Sequence, residues 1–391
     1  MRVSQIPLVL GFPLFLGACA TAVPVSYTEP KAGFANVASQ ITPAIGKRTV
    51  FAETQAENEA LKKQVHSMVH QKTISADTAV QVALLNNKGL QASYVNVGLS
   101  AAEAWQQSTP ENPIVSIGVL GIGAPELGAY RAIEGLIRSN VLDATTRKQR
   151  MAIADASFRQ AQLNAVNDTL ALANQTRKAW VDAVAAFEAV SYLRRAKATS
   201  DAGSELAMRL GETGALNKAG QAREQAFNAE LAGQLAQARL NATRSKEALT
   251  RLMGLWGTGV DYYVPDALPS LPRSVGRVTD IEAKALRNRV DLRVAKVGLE
   301  AQAKAFGLTD QTRIVSDLEI VAGAEFEREV EGSGDIETKT LPQVEVEFAI
   351  PIYDTGKARM RKAELSYLQA ANVLAEKAVN VRSEARGAEA S

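Results

Sequence analysis

Between Pro125 and Pro265 the chain runs for 139 residues without a proline. Proline removes a backbone donor and clashes with the preceding turn, so its absence over such a length permits helices far longer than those of an ordinary domain. Of the 66 alanines, 26 fall in residues 151–250, and alanine is both the best helix former and small enough to let backbones approach closely. Apolar residues recur there with the 3-4 spacing of a coiled coil. One register is Leu163, Val166, Leu170, Ala173, Arg177, Trp180, Val184 and Phe187, with only Arg177 out of character; a second is Leu231, Leu235, Ala238, Ala242, Ser245, Leu249 and Leu252. The spacing predicts one helix over 143–197, on the order of 80 Å long at ~1.5 Å per residue. A return helix is predicted over 218–253. Between them the pattern fails, where Gly203, Gly211, Gly214 and Gly220 cluster. Alanine on the flanking faces calls for neighbours on several sides.

The remaining composition excludes several functions. With 44 Lys+Arg against 42 Asp+Glu the formal charge is +2, which gives no broad basic field for nucleic acid. One cysteine and two histidines allow neither an internal disulfide nor a Cys/His zinc centre. No nucleophile–base set, phosphate-cradling glycine loop or acid/base pair stands out. We therefore expect no enzyme, no catalytic residue, no metal and no cofactor. His66 and His70 have metal-ligand spacing on a predicted helix, but lack a third ligand and are read as exposed. Trp105, Trp180 and Trp256 are read as packing or interfacial residues.

Residues 1–18 combine Arg2, an apolar run and small residues before Cys19, the pattern of a secretory signal. Leu16-Gly17-Ala18-Cys19 resembles a bacterial lipoprotein signal, which implies lipid attachment at Cys19. Ala20 and Thr21 follow, so the inner-membrane retention signal is absent and the outer membrane is expected. Acyl chains contribute about 0.8 kcal/mol per buried CH₂ and tether without spanning. Elsewhere no stretch of about 18 apolar residues exists, so any membrane span must be built of strands.

Residues 19–72 are read as a tether and helix: extended over 24–45, which holds Pro24, Pro30 and Pro43, then helical over 49–71. Residues 73–258 and 259–391 follow one plan twice. In the first repeat a helix runs from Ser75, its N-cap, to about Thr109 and stops at Pro110-Glu111-Asn112-Pro113. Strands near 114–122 and 128–141 precede the long hairpin. The second repeat echoes the first. Ala83/Ala285, Leu84/Leu286, Asn86/Asn288, Leu90/Leu292 and Val95/Val297 match at an offset of 202. Val141/Ile352, Asp143/Asp354, Arg150/Arg361 and Ala152/Ala363 match at 211. The same order of echoes points to an internal duplication.

The second repeat has the clearer strands. Leu318, Ile320, Ala322, Ala324 and Phe326 alternate with Glu319, Val321, Gly323, Glu325 and Glu327; after a turn at 331–335, Val344, Val346, Phe348 and Ile350 alternate with Gln343, Glu345, Glu347 and Ala349. One apolar and one acidic face suits a membrane barrel strand, and equally an edge hairpin of a soluble sheet. In the barrel reading Glu319, Glu325, Glu327, Glu345 and Glu347 face the lumen, where they either favour cations or simply solvate a wet face. Four strands cannot close a barrel, for which about eight are needed, so several copies must share one.

The chain resembles the TolC-like outer-membrane efflux channel family, specifically its lipoproteins. The family's helix core is matched by the segment Ala83 to Ala92 and again by Ala285 to Val294. Pro351-Ile352-Tyr353-Asp354-Thr355-Gly356 matches its strand-to-helix motif. The segment Arg209 to Asn217 resembles the turn at the periplasmic tip, and Ala248 to Gly254 the end of the return helix. The resemblance implies a mainly α fold with a small β part: long coiled-coil helical hairpins plus four β-strands per chain contributing to a shared transmembrane barrel. It implies a homotrimer, a twelve-strand barrel and a passive conduit in a tripartite exporter, with a periplasmic adaptor protein and an inner-membrane pump as partners. Gly211, Thr213, Gly214, Ala215 and Leu216 would dock the adaptor; Pro351, Asp354 and Gly356 would join strand to helix. The second repeat departs from the family. Asp143 and Gly254 are 111 apart (254 − 143), whereas 37 residues follow Asp354 (391 − 354). A second helical tip and return helix are therefore not expected. A truncated, non-conducting channel copy and a periplasmic coiled-coil lipoprotein with a tethering role stand as alternatives.

Overall fold

The computed structural model describes residues 23–123, 127–270, 280–330 and 335–390. Cys19 and the signal segment, and most of the turn expected at 331–335, lie outside the described residues. Among these residues ten α-helices and four strands follow in order, with a short 3-10 turn at Gly257–Val260: α1 (Val25–Thr28), α2 (Phe34–Ile45), α3 (Gln55–Val69), α4 (Ala76–Asn86), α5 (Lys88–Ser108), β1 (Ile114–Leu120), β2 (Ala132–Asn140), α6 (Val141–Glu212), α7 (Lys218–Leu252), α8 (Ile281–Asn288), α9 (Val290–Gln311), β3 (Leu318–Val330), β4 (Ile336–Phe348) and α10 (Lys357–Ala390). The order helix pair, strand pair, long helix occurs twice. By contacts the chain forms two units, one of 1–32, 99–160 and 294–379 and the other of 33–98, 161–293 and 380–391.

The first unit holds an antiparallel sheet in the order β1-β2-β3-β4. Arg147 of α6 donates from Nε to the Ser108 carbonyl at 2.7 Å, satisfying a helix-end acceptor at the close of α5. Tyr27 sets its ring edge-on to Phe158 at 5.5 Å and donates its hydroxyl to Asp155 at 3.1 Å. Arg159 bridges Asp155 at 3.0 Å and Glu300 of α9 at 2.8 Å, and Lys304 joins Glu300 at 2.7 Å.

In the second unit α6 and α7 form a hairpin around buried Val190, Leu235 and Ala242, with Ala186, Phe187, Leu193 and Ala238 packed against them. Trp180 is buried and donates its indole N–H to the Ile74 carbonyl at 2.9 Å. Tyr94 is fully buried against Phe34 and Phe51, and its hydroxyl lies 3.0 Å from that of Thr169.

Three local expectations change. Residues 34–45, read as extended, form α2, because Val37 and Ile41, four apart on one helical face, are completely buried. Pro43 falls in the last turn, where the donor it lacks costs only the bond to the Ser39 carbonyl. The helix expected over 75–109 is broken between α4 and α5. Asn87 takes an extended conformation and its Oδ1 accepts the N–H of Leu90 at 3.0 Å, so it caps α5. The long helix continues past Lys197 to Glu212. Its Gly203 and Gly211 are helical, and Gly203 sits where an added Cβ would come within 3.1 Å of Glu224 on α7.

Candidate functional site

Strand pairing divides the 42 strand residues between two faces. Cross-strand partners run Val115–Ile137–Ala322–Val344 on one and Arg138–Val321–Glu345 on the other. The first face carries Val115, Ile117, Val119, Ile133, Ile137, Ile320, Phe326, Val344, Val346 and Phe348; of its 21 positions only Arg328 is charged. Of the 21 on the other, ten are charged: eight glutamates, Arg138 and Lys339. The apolar face is bare in this chain, with Ile117 78% and Val344 74% exposed. An exposed apolar patch of this extent marks an interaction surface for lipid or another apolar partner. Both outer strands present an unpaired edge among the described residues. Pro342 lies inside β4, opposite Ala324, which an edge strand tolerates because one row of its N–H groups has no ladder to join. β4 begins at Ile336, seven residues ahead of the alternation noted from Gln343.

The five glutamates singled out in the sequence do share the polar face, yet three are paired with cations. Arg138 lies 3.3 Å from Glu319 and 3.4 Å from Glu347, and Arg131 lies 2.8 Å from Glu327. Glu325 and Glu345 have no ion pair of that kind among the described residues. Glu134, absent from the sequence reading, joins the face and accepts a hydrogen bond from Gln343 at 2.8 Å. The face is thus net acidic with Arg138 at its centre. Alternation in β2 (Glu134, Leu136, Arg138 against Ile133, Gly135, Ile137) was the available signal, blurred by one leucine and one glycine.

Below the sheet the motif residues form a compact turn. Asp354 Oδ1 accepts the N–H of Gly356 at 2.8 Å, and its other oxygen lies 3.6 Å from Arg359 Nε. Gly356 has φ +73°, and a Cβ there would meet the Arg313 carbonyl at 2.5 Å, so only glycine fits. Pro351 precedes this turn outside the strand. In the first repeat the corresponding entry is capped by Asn140, whose Oδ1 accepts the Asp143 N–H at 2.8 Å, while Asp143 pairs with Arg150.

The hairpin tip is built by helix-end chemistry. Leu216 N–H reaches the Leu210 carbonyl at 3.0 Å and Gly214 adopts φ +76°, a left-handed C-terminal cap. Thr213 Oγ1 donates to the Leu210 carbonyl at 3.1 Å; Asn217 Oδ1 then caps α7 through Gly220 N–H at 2.8 Å. Gly203 and Gly211 lie within α6, Gly220 within α7, and Gly214 in the turn between them. Thr213, Gly214 and Ala215 are exposed, and Leu216 is half-buried.

At the other end of α7, Asn86 donates to the carbonyls of Met253 at 3.1 Å and Gly254 at 2.7 Å, and Asn87 to that of Leu252 at 2.9 Å. Both side chains thereby staple the α4–α5 break to the end of the return helix, a role sequence reading missed.

Outside the sheet, hydrogen bonding and charge set a few ionisations. Glu300 is held below its ordinary value by Lys304 and Arg159, and Asp77 by Arg177. Burial raises the phenols of Tyr94 and Tyr262 to about 12. The rings of His66 and His70 stack at 4.4 Å. No group of three or more metal-ligating side chains occurs among the described residues, and no described helix is long and apolar enough to cross a membrane.

No family model matches the sequence, and no curated protein matches it either. Solved structures do share its fold. The CmeC outer membrane channel of Campylobacter jejuni superposes with a TM-score of 0.63 at 16% identity, covering 78% of this chain and 68% of that one. The outer membrane protein VceC of Vibrio cholerae gives 0.60 at 14%, covering 78% and 75%. The MtrE outer membrane channel of Neisseria gonorrhoeae gives 0.53 at 16%, covering 79% and 69%. The chain thus shares its fold with these outer-membrane proteins.

Proposed function

We propose that this chain, which has the fold of those channels, is itself an outer-membrane channel subunit: a passive conduit in an efflux system, anchored by lipid at Cys19. The observation that carries the reading is the division of charge across the sheet. Twenty uncharged positions of 21 on one face suit a hydrocarbon surround, and ten charged positions on the other suit a wet lumen. An open sheet edge in lipid would leave backbone groups unpaired at several kcal/mol each. Four strands per chain therefore call for several copies around one barrel, and three copies give the twelve strands of the resembled family. In this reading the polar face is the lumen and favours cations, with Arg138 limiting that preference. The exposed Thr213–Ala215 turn is the part that meets a periplasmic adaptor.

The full chain, expressed with its signal and extracted in mild detergent, is expected to migrate as an oligomer that resists SDS until heated, and to conduct in planar bilayers. With Cys19→Ser the protein should stay in the membrane. A monomer that washes off once Cys19 is replaced would sink the proposal.

A further inference from the structure

Arg328 is the one charged residue on the apolar face of the sheet. From Leu318 to Arg328 the face advances ten residues, about 34 Å along the strand at ~3.4 Å per residue, or roughly 26 Å in height at a tilt of ~40°. The apolar band of an outer-membrane barrel is about 25 Å tall. If Leu318 lies at the level where helices give way to sheet, Arg328 stands at the far boundary of the hydrocarbon.

Its surroundings suit an anion there. The guanidinium lies over the Tyr130 ring at 4.7 Å, which orients it while leaving its edge N–H groups available. Thr338 is its direct cross-strand partner, and Thr340, opposite Phe326, follows on the same face; both threonines are exposed. No carboxylate pairs with Arg328 among the described residues. Its neighbours differ: Arg131 is bound to Glu327 and Lys339 to Glu329. A cation with two hydroxyl donors, set directly above an apolar surface, matches a phosphate carried on acyl chains.

We propose that Arg328, with Thr338 and Thr340, binds the phosphate of an outer-leaflet glycolipid. The inference rests on the barrel reading, since only a lipid-facing row places these residues at a headgroup. Purified full-length protein would be reconstituted in nanodiscs of phosphatidylcholine doped with diphosphoryl lipid A, or with its dephosphorylated form, and retained glycolipid measured after detergent exchange by native mass spectrometry. We expect the diphosphoryl form to be retained, and retention to fall about fivefold in Arg328→Gln. Arg328→Lys should recover part of it, the dephosphorylated form should be lost from both, and an excess of inorganic phosphate should not compete. Equal retention by wild type and Arg328→Gln, or displacement by inorganic phosphate, overturns the proposal. SDS resistance is scored in the same samples. Loss of retention with the oligomer intact supports the site, whereas a wild type that forms no oligomer overturns the barrel reading and this inference with it.

Discussion

Adjacent residues Gln343 and Val344 point to opposite faces of β4, so the same cation placed at each separates a lipid-facing sheet from a solvated one. Val344 lies opposite Ala322, in the row that continues through Ile137 to Val115. Ala322 is four residues from Leu318, about 10 Å in height at the same rise and tilt, well inside a band of ~25 Å. An arginine at such depth costs about 2–4 kcal/mol. In a barrel of three copies Val344→Arg should therefore cost roughly 6–12 kcal/mol, enough to abolish a stable oligomer. Gln343→Arg introduces the same charge beside Glu134, to which Gln343 donates at 2.8 Å, and should leave stability within about 0.5 kcal/mol per copy. The assay is the temperature at which SDS-resistant oligomer disappears, backed by urea unfolding in phospholipid vesicles. Were the apolar face solvated, Val344, already 74% exposed, would accept arginine as readily as Gln343. Matching effects of the two substitutions would refute the assignment of faces.

Four further substitutions have expected outcomes. Asn86→Ala removes the donor to the Met253 and Gly254 carbonyls and should cost about 1–3 kcal/mol; Gly254→Ala, with φ +66° and a Cβ 2.8 Å from the Asn86 carbonyl, should cost a similar ~1–3 kcal/mol. Both are read as lowered melting temperatures by far-UV circular dichroism. Tyr94 and Tyr262 hold their protons to about 12 in the folded chain, against about 10 when unfolded. That contribution is fully present below pH ~10 and is lost as pH rises toward ~12, so stability should fall across this window and fall less steeply in Tyr94→Phe. Arg138→Gln releases Glu319 and Glu347 from their shared cation and should move the reversal potential of single channels in a salt gradient toward greater cation selectivity; an unmoved potential would place Arg138 outside the conducting path.

What the sequence disclosed depended on whether a feature is local. The long helices were legible because their causes act within one segment: no proline, abundant alanine and a 3-4 apolar spacing. The start of the return helix was legible, since Asn217 caps its own turn, but the long helix runs fifteen residues past its expected end because Gly203 and Gly211 stay helical. The same local logic failed for α2, where three prolines outweighed Val37 and Ile41, because their burial depends on residues far away in the chain. It failed again at Asn86-Asn87, whose hydrogen bonds reach 165 to 168 positions onward. For the sheet, β3 and β4 announced their two faces, but not the cation set within the acidic one. The neutralising Arg138 sits on β2, and only the register brings it between Glu319 and Glu347.

That register also constrains how copies could join. β1 has seven residues and β4 thirteen, so a β1 edge laid against the β4 edge of the next copy leaves part of β4 without a partner. The cost depends on which part. The apolar positions Val344, Val346 and Phe348 lie at the helix-proximal end of β4, whereas Glu337, Thr338, Lys339 and Thr340 lie at the far end. Pairing β1 with the helix-proximal stretch covers the groups that would otherwise be bare in hydrocarbon, at several kcal/mol each. The unpaired remainder then lies nearest the far boundary of the hydrocarbon, among charged and hydroxyl-bearing residues that draw in the water to satisfy it. Pro342, which offers no N–H, stands between the two stretches. Cysteines replacing Ile117 and Val346 should therefore cross-link adjacent copies more readily than cysteines replacing Ile117 and Thr338, and the reverse preference would exclude this register.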